Sequence, residues 1–323
     1  MGITAVLTRP PGPAPAPAVV SWRVYARLAK LDIYDYYLAT PLLLAMLLPA
    51  GGPGPAGYAV LALFLAGGVA MFAGGCSFDD VTGYRDGSDA TSYGPDAPAR
   101  RLARKPLIAG SLGEAQAVRF AWLAIAVQFA CWTGALLLAP VRPGWAVLSI
   151  AACAFAGFQY SWWLKLSYHG WQEFLLAFYG WVFVVAPYGL ITGRIGSFAL
   201  VQALVFGLGP LLFGVYSNIN DIAGDRAVGR RTVAALASPR GNAAFIAALS
   251  LLEAALLVVP SLTGLAPWWF AALMSPVIAL RAGQFTLGLA AGEVLRARRL
   301  GIHTHRVCCA LLVAACLING GVA

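Results

Sequence analysis

The chain has 323 residues, 60% of them hydrophobic and only 11% charged, with a mean hydropathy of +0.76. A soluble domain of this length would carry roughly 25% charged residues, so a soluble class is excluded and a polytopic membrane protein is expected. The net charge of +9 carries its information through its distribution along the chain, and no nucleic-acid partner is expected.

Residues 1–20 are rich in Pro and Ala and lack an apolar signal-peptide core, so they read as a disordered tail. Residues 21–323 read as one transmembrane domain, entered through the amphipathic stretch SWRVYARLAKLDIYDYY. Apolar spans are then predicted at 35–51, 57–76, 117–139, 145–163, 171–192, 198–218, 242–261, 267–290 and 304–322. The fold class is therefore all-α, with nine transmembrane helices. The odd connections are short and nearly uncharged, whereas the even ones, 77–116, 164–170, 219–241 and 291–303, are polar.

Of the 22 Lys and Arg residues, only Arg142 and Arg194 fall on the odd-connection side, and Arg281 lies within a span. The cation-rich side is expected to be cytoplasmic, in an inner (plasma) membrane, with the N-terminus inside. The acids follow the cations. Of 13 Asp and Glu residues, only Glu253 lies deep in a span. Orientation does not require acids on one side, so their pooling there asks for another cause, such as a metal site. The six cysteines lie in or beside apolar runs and form no CxxC pair, which suits small-hydrophobe packing.

The most informative stretch is YSNINDIAGDRAVGRRT, residues 216–232. If the preceding helix continues, Asn218, Asp221 and Asp225 share one face. Two carboxylates one turn apart beside an amide suit Mg²⁺, which takes hard oxygen ligands and shares them with substrate phosphates. Arg226, Arg230 and Arg231 follow, and guanidinium groups match phosphate geometry. The plain alternative is a helix end with a solvated charge run.

An internal echo supports the functional reading. FDDVTGYR, residues 78–85, aligns with INDIAGDR, residues 219–226, placing Asp79 over Asn220, Asp80 over Asp221, Gly83 over Gly224 and Arg85 over Arg226. Each segment leaves the inner end of an even-numbered span, as expected of two pseudo-repeated four-helix units plus a final helix. Asp79 and Asp86 would share a helical face, with Asp80 and Asp89 beside them. Arg100, Arg101, Arg104 and Lys105 reach the same surface. Two acidic and two basic clusters suit two Mg²⁺ ions and a diphosphate.

These features resemble the UbiA superfamily of intramembrane prenyltransferases, which includes terpene cyclases. The resemblance rests on NINDIAGDRAVGRRT, on KPLIAG at residues 105–110, and on YSWWLKLSYHGWQEF at residues 160–174, and it covers the chain from about residue 25. The first motif departs from the family pattern of an Asn-Asp pair followed by Asp four and eight residues after the Asn. With Asp79 at the Asn position, Asp80 matches, but Gly83 and Gly87 stand at the later acidic positions. With Phe78 there, Asp79 and Asp86 match and the other positions are lost.

The resemblance implies a Mg²⁺-dependent ionisation of a prenyl diphosphate at the cytoplasmic face of the bilayer. Asp79, Asp80, Asp86, Asp221 and Asp225 would hold metal. Asn218, Arg85, Arg104, Lys105, Arg226 and Arg231 would hold the diphosphate. Asp80, Asp221, Asp225 and Lys105 would carry the chemistry. Tyr36, Tyr37, Phe158, Tyr160, Trp163, Phe174 and Tyr216 are candidates to face an allylic cation, and Lys165, His169 and Glu173 to orient an acceptor. Transfer to an acceptor, such as an aromatic ring, is the leading expectation. Cyclisation is the alternative, and transport, suggested by Glu253 and Arg281 within spans, a remote one. His303 and His305 read as interfacial. Oligomeric state is not legible.

Overall fold

The computed structural model describes residues 21–93 and 102–320, and these form helices with no strand among them. The predicted tail and Asp96, Arg100 and Arg101 lie outside the described residues. In chain order the helices are α1 Trp22–Leu28, α2 Ala39–Leu47, α3 Gly54–Arg85, α4 Ser88–Ser92, α5 Glu114–Leu138, α6 Gly144–Phe158, α7 Gln172–Thr192, α8 Ser197–Ala227, α9 Val233–Leu236, α10 Pro239–Thr263, α11 Phe270–Phe285 and α12 Val294–Gly320. Among the described residues, seven helices are long and apolar enough to cross a membrane. The first and fourth predicted spans are the shorter apolar helices Tyr36–Leu47 and Gly144–Phe158.

Burial orders the bundle from inside to outside. The apolar window of α8 is 78% buried, whereas that of α10, of similar hydropathy, is only 22% buried. An apolar helix that the protein leaves uncovered needs a hydrocarbon solvent, so α10 faces lipid and α8 is the central post. Helix α8 packs against α7, α10 and α12, while α3 packs chiefly against α5. A Cβ at Gly180 of α7 would lie 2.5 Å from the Gly207 Cα of α8, so these backbones touch through paired glycines. Pro187 and Pro210 lie inside the same two helices. Neighbouring helices make such prolines tolerable in hydrocarbon.

The predicted spans differ from the helices at their inner ends. Helix α3 runs on to Arg85 and α8 to Ala227, carrying both acidic motifs as continuous helix beyond the apolar runs. Hydropathy marks where a helix leaves hydrocarbon, not where its hydrogen bonding stops. The fourth span ends earlier than predicted, at Phe158, because Gln159 turns back to accept the Leu164 amide and Trp163 and Lys165 take positive φ. His303 is exposed as expected, but His305 is fully buried against Phe206 because α12 carries it inward over Gly209. All six cysteines are free thiols.

Glu253 and Arg281 form a buried two-point pair, at 2.7 and 2.8 Å, between α10 and α11. Arg281 also donates to Gln284, whose amide donates to the Leu212 carbonyl of α8. The charges of this cluster are satisfied within the packed helices, as a structural tie requires.

Candidate active site

The C-terminal ends of α3 and α8, the stretch around Lys30, helix α4 and residues 103–105 frame a cavity of about 890 Å³. That is the size of a small-molecule pocket, typically ~300–1,000 Å³. Asn218, Asp221 and Asp225 all line it, as the helical spacing predicts. So do Asp79, Arg104 and Lys105. Asp80 is only 1% exposed and reaches the cavity through its partners.

The first acidic motif is already matched by cations. Lys30 lies 3.2 Å from Asp79 and 3.0 Å from Asp80. Lys105 lies 2.8 Å from Asp80 and 2.7 Å from Asp89. Arg230 donates to Asp79 at 2.7 Å and also meets the hydroxyls of Ser161 and Ser167. Burial opposes the charge on Lys30, Lys105 and Arg230, but their carboxylate partners outweigh it and hold all three well above their ordinary ranges. Burial pushes the Asp89 carboxyl up to about 6 against the pull of Lys105.

The second motif is different. Among the described residues no cation pairs with Asp221 or Asp225. Asp225 accepts from the Thr232 hydroxyl at 3.0 Å, and Asp221 accepts from Asn220. Asn218 is fixed between Gln172, which donates to it at 2.7 Å, and Glu173, which accepts from it at 3.0 Å. Glu173 also accepts the Val233 amide, so it braces the motif instead of facing an acceptor. Unpaired carboxylates four residues apart on one helical face fit a divalent cation. Among the described residues no three His, Cys, Asp or Glu side chains are placed to hold one metal ion, so phosphate and water would complete the shell. The first motif, with Asp79 and Asp80 held by ammonium and guanidinium groups, does not fit a second ion in the same way.

Three expected residues turn elsewhere. Arg85 pairs with Glu114 and lies over Trp162, Arg226 donates to the Ala235 carbonyl, and exposed Arg231 does not line the cavity. Asp86 accepts from the Tyr168 hydroxyl at 2.6 Å and from Ser88, so it shapes the entry to α4. The cavity instead gains Lys30, Arg298 and Arg299, which spacing did not single out, together with Asp89 and Arg230, which it placed only beside the motifs. The Nε atoms of Arg230 and Arg298 are buried without hydrogen-bond partners among the described residues, a donor set suited to phosphate oxygens.

Behind the polar mouth lies an apolar recess lined by Tyr34, Met71, Phe72, Cys76, Tyr160 and Tyr179. Lys30, Tyr34, Asp79, Tyr160 and Leu176 belong to both spaces and so form the throat, with the two tyrosine rings beside the Lys30–Asp79 pair. Tyr36 sits deeper, stacked on Phe72 at 4.2 Å with its hydroxyl donated to the Leu176 carbonyl. Trp163 and Phe174 are exposed at the bundle surface.

The family model for the UbiA prenyltransferase family matches residues 38–288. The chain belongs to the UbiA prenyltransferase family. It is accordingly a multi-pass membrane enzyme of the prenyltransferase type. The bundle is similar to a UbiA homologue from Aeropyrum pernix K1, with a TM-score of 0.63 at 17% identity, covering 87% of this chain and 98% of that one. It is also similar to a UbiA homologue from Archaeoglobus fulgidus bound to DMAPP and Mg²⁺, with a TM-score of 0.55 at 15% identity and coverage of 88% and 99%. A third neighbour is a digeranylgeranylglyceryl phosphate synthase, with a TM-score of 0.56 at 12% identity and coverage of 92% and 99%. At these identities the likeness is one of UbiA fold. Comparison with curated proteins found no match in sequence.

Proposed function

We propose that this UbiA-family chain ionises a prenyl diphosphate with Mg²⁺ and transfers the prenyl group to an acceptor. The observation that carries this reading is one cavity holding the unpaired Asp221 and Asp225, a ring of cations, and an aromatic recess behind them. The neighbours from Archaeoglobus fulgidus bound to DMAPP or GPP with Mg²⁺ support it. Asp221 and Asp225, with Asn218 beside them, hold the metal, which when bound neutralises the leaving diphosphate. Arg298, Arg104 and Lys105 bind the phosphate oxygens, and Lys30 and Arg230 hold Asp79 and Asp80 in place behind them. The bond from the first prenyl carbon to the diphosphate oxygen breaks, with its electron pair leaving on oxygen. Tyr34 and Tyr160 present ring faces where the allylic charge develops, and the narrow recess behind them limits the access of water. An electron pair of the acceptor then forms the new bond, and the acceptor loses a proton.

Residues 21–323 act as one domain, in which the two shorter apolar helices join the seven long ones to give nine crossings. The mouth faces the cytoplasm of an inner membrane, a placement supported by the one-sided Lys and Arg distribution. The test is to incubate purified protein with a panel of prenyl diphosphates and Mg²⁺, with and without phenolic acceptors. A prenylated acceptor is expected. A hydrocarbon formed without acceptor makes the enzyme a cyclase, and no diphosphate release from any donor refutes the reading.

A further inference from the structure

Helix α4 rests on two glycines. A Cβ at Gly83 would lie 2.8 Å from the Asp89 carboxyl carbon and 2.9 and 3.0 Å from its oxygens. A Cβ at Gly224 would lie 2.5 Å from the Ser92 hydroxyl and 2.8 Å from the Ser88 carbonyl oxygen. These glycines occupy equivalent places in FDDVTGYR and INDIAGDR. Each copy of the echo therefore offers a bare backbone on which the same short helix sits.

The copies differ in their acids. The second has Asp221 and, four residues on, Asp225. The first has Asp80 and, four residues on, Tyr84, which is 44% exposed. The missing carboxylate arrives from outside the echo. Asp89 lies over Gly83, and Lys105 sits between it and Asp80, at 2.7 and 2.8 Å. The ammonium thus takes the position between two carboxylates where a metal ion would sit. Asp79, Asp80 and Asp89 pair entirely with Lys30, Lys105 and Arg230, so the cluster is balanced in charge. A divalent ion entering here would have to expel a buried ammonium from both of its partners, at the cost of strong like-charge repulsion.

We propose that Asp89 is the second carboxylate of the first copy, and that the cation it holds with Asp80 is the Lys105 ammonium, so that Mg²⁺ enters only at Asp221 and Asp225. Asp89 is a positioning residue in this scheme, acting on the diphosphate through Lys105. The inference rests on the diphosphate-ionising reading of the mouth.

Mn²⁺ titration of the full-length protein in detergent, followed by electron paramagnetic resonance with a non-hydrolysable prenyl thiolodiphosphate, tests it. One Mn²⁺ per chain is expected, lost in Asp221→Asn and kept in Asp89→Asn. Asp89→Asn and Gly83→Ala, whose new Cβ displaces the Asp89 side chain, should each weaken binding of the analogue about tenfold while leaving the metal count at one. A second Mn²⁺ that disappears in Asp80→Asn, whose Oδ2 is buried without a hydrogen-bond partner, overturns the inference and leaves the functional reading standing. Unchanged analogue binding in both Asp89→Asn and Gly83→Ala overturns the role of Asp89. Failure of the wild-type protein to bind Mn²⁺ or the analogue overturns the functional reading and this inference together.

Discussion

Arg230 donates to Asp79 at 2.7 Å across a sequence separation of 151 residues, joining the turn after the second acidic motif to the first motif. The same guanidinium lies 4.5 Å from the Tyr168 ring and meets two serine hydroxyls. Replacing it by Ala removes several charge-assisted bonds, each worth roughly 1.5–3 kcal/mol. Arg230→Ala should raise the KM for the prenyl donor by about 10-fold or more, whereas Arg231→Ala, at an exposed site outside the cavity, should leave it near wild type. Steady-state kinetics on the two variants side by side is the check.

Asp221→Ala and Asp80→Ala should each abolish diphosphate release, for different reasons. The first removes one of the unpaired carboxylates of the mouth. The second leaves Lys30 and Lys105 without their shared partner. Losses of about 10²-fold or more are expected, the usual scale for removing one preorganised charge at a reacting centre. Phosphate release measured by a coupled assay reports this, and near-normal release from either variant refutes the role given to that residue.

Acidification should switch off the clamp on Lys105. Burial has pushed Asp89 up to about 6, with Asp80 and Asp79 adding to the rise and Lys105 opposing it. Below that pH Asp89 takes up a proton and loses its charge-assisted grip on the ammonium. Activity should therefore fall as pH drops through about 6, and the Asp89→Asn variant should show a shallower fall, because the metal-holding carboxylates also take up protons on acidification. The folded chain binds this proton more tightly than the unfolded one, so this group costs activity on acidification without costing stability. A pH–rate profile of both proteins decides it.

Donor length should be set by Phe72. The recess behind the throat is only about 40 Å³, room for a few water molecules. Phe72 narrows it, stacked on Tyr36 and edge-on to Tyr179. The wild-type enzyme should prefer the shortest donor, and Phe72→Ala should improve kcat/KM for longer donors relative to it. An unchanged ranking across a donor series counts against a tail lodged in this recess.

The pair between Glu253 and Arg281 should matter for stability alone. Glu253→Gln leaves a buried guanidinium uncompensated, a loss of about 3–5 kcal/mol, and the double change Glu253→Leu with Arg281→Met should recover most of it. Thermal unfolding in detergent measures both. A transport role for the pair would instead leave the double variant folded but inactive in flux.

The helical class, the membrane setting and the second motif were legible because each rests on local spacing. Asn218, Asp221 and Asp225 reach the cavity simply because α8 continues past its apolar run. The first motif was not legible for the opposite reason. Its working partners, Lys30, Asp89 and Arg230, come from separate segments, and no spacing rule links them. Arg230 and Arg231 are neighbours in a run of cations, and only the turn at Val228 and Gly229 sends one inward and the other to the surface. The one readable hint was Gly83 itself, a small residue where an acid was expected. Spacing alone reads it as a loss, whereas packing makes it a seat for Asp89.

Arg306 of α12 grips Asp35, which is wholly buried, at 2.5 Å, and Arg298 and Arg299 of the same helix line the mouth. Helix α12 thus supplies both the clasp on the entry segment and part of the phosphate wall. A nascent chain still missing α12 would expose an unfinished, unpaired basin to the lipid headgroups. Competence should therefore arrive abruptly, when α12 docks, so that no half-folded copy consumes its donor.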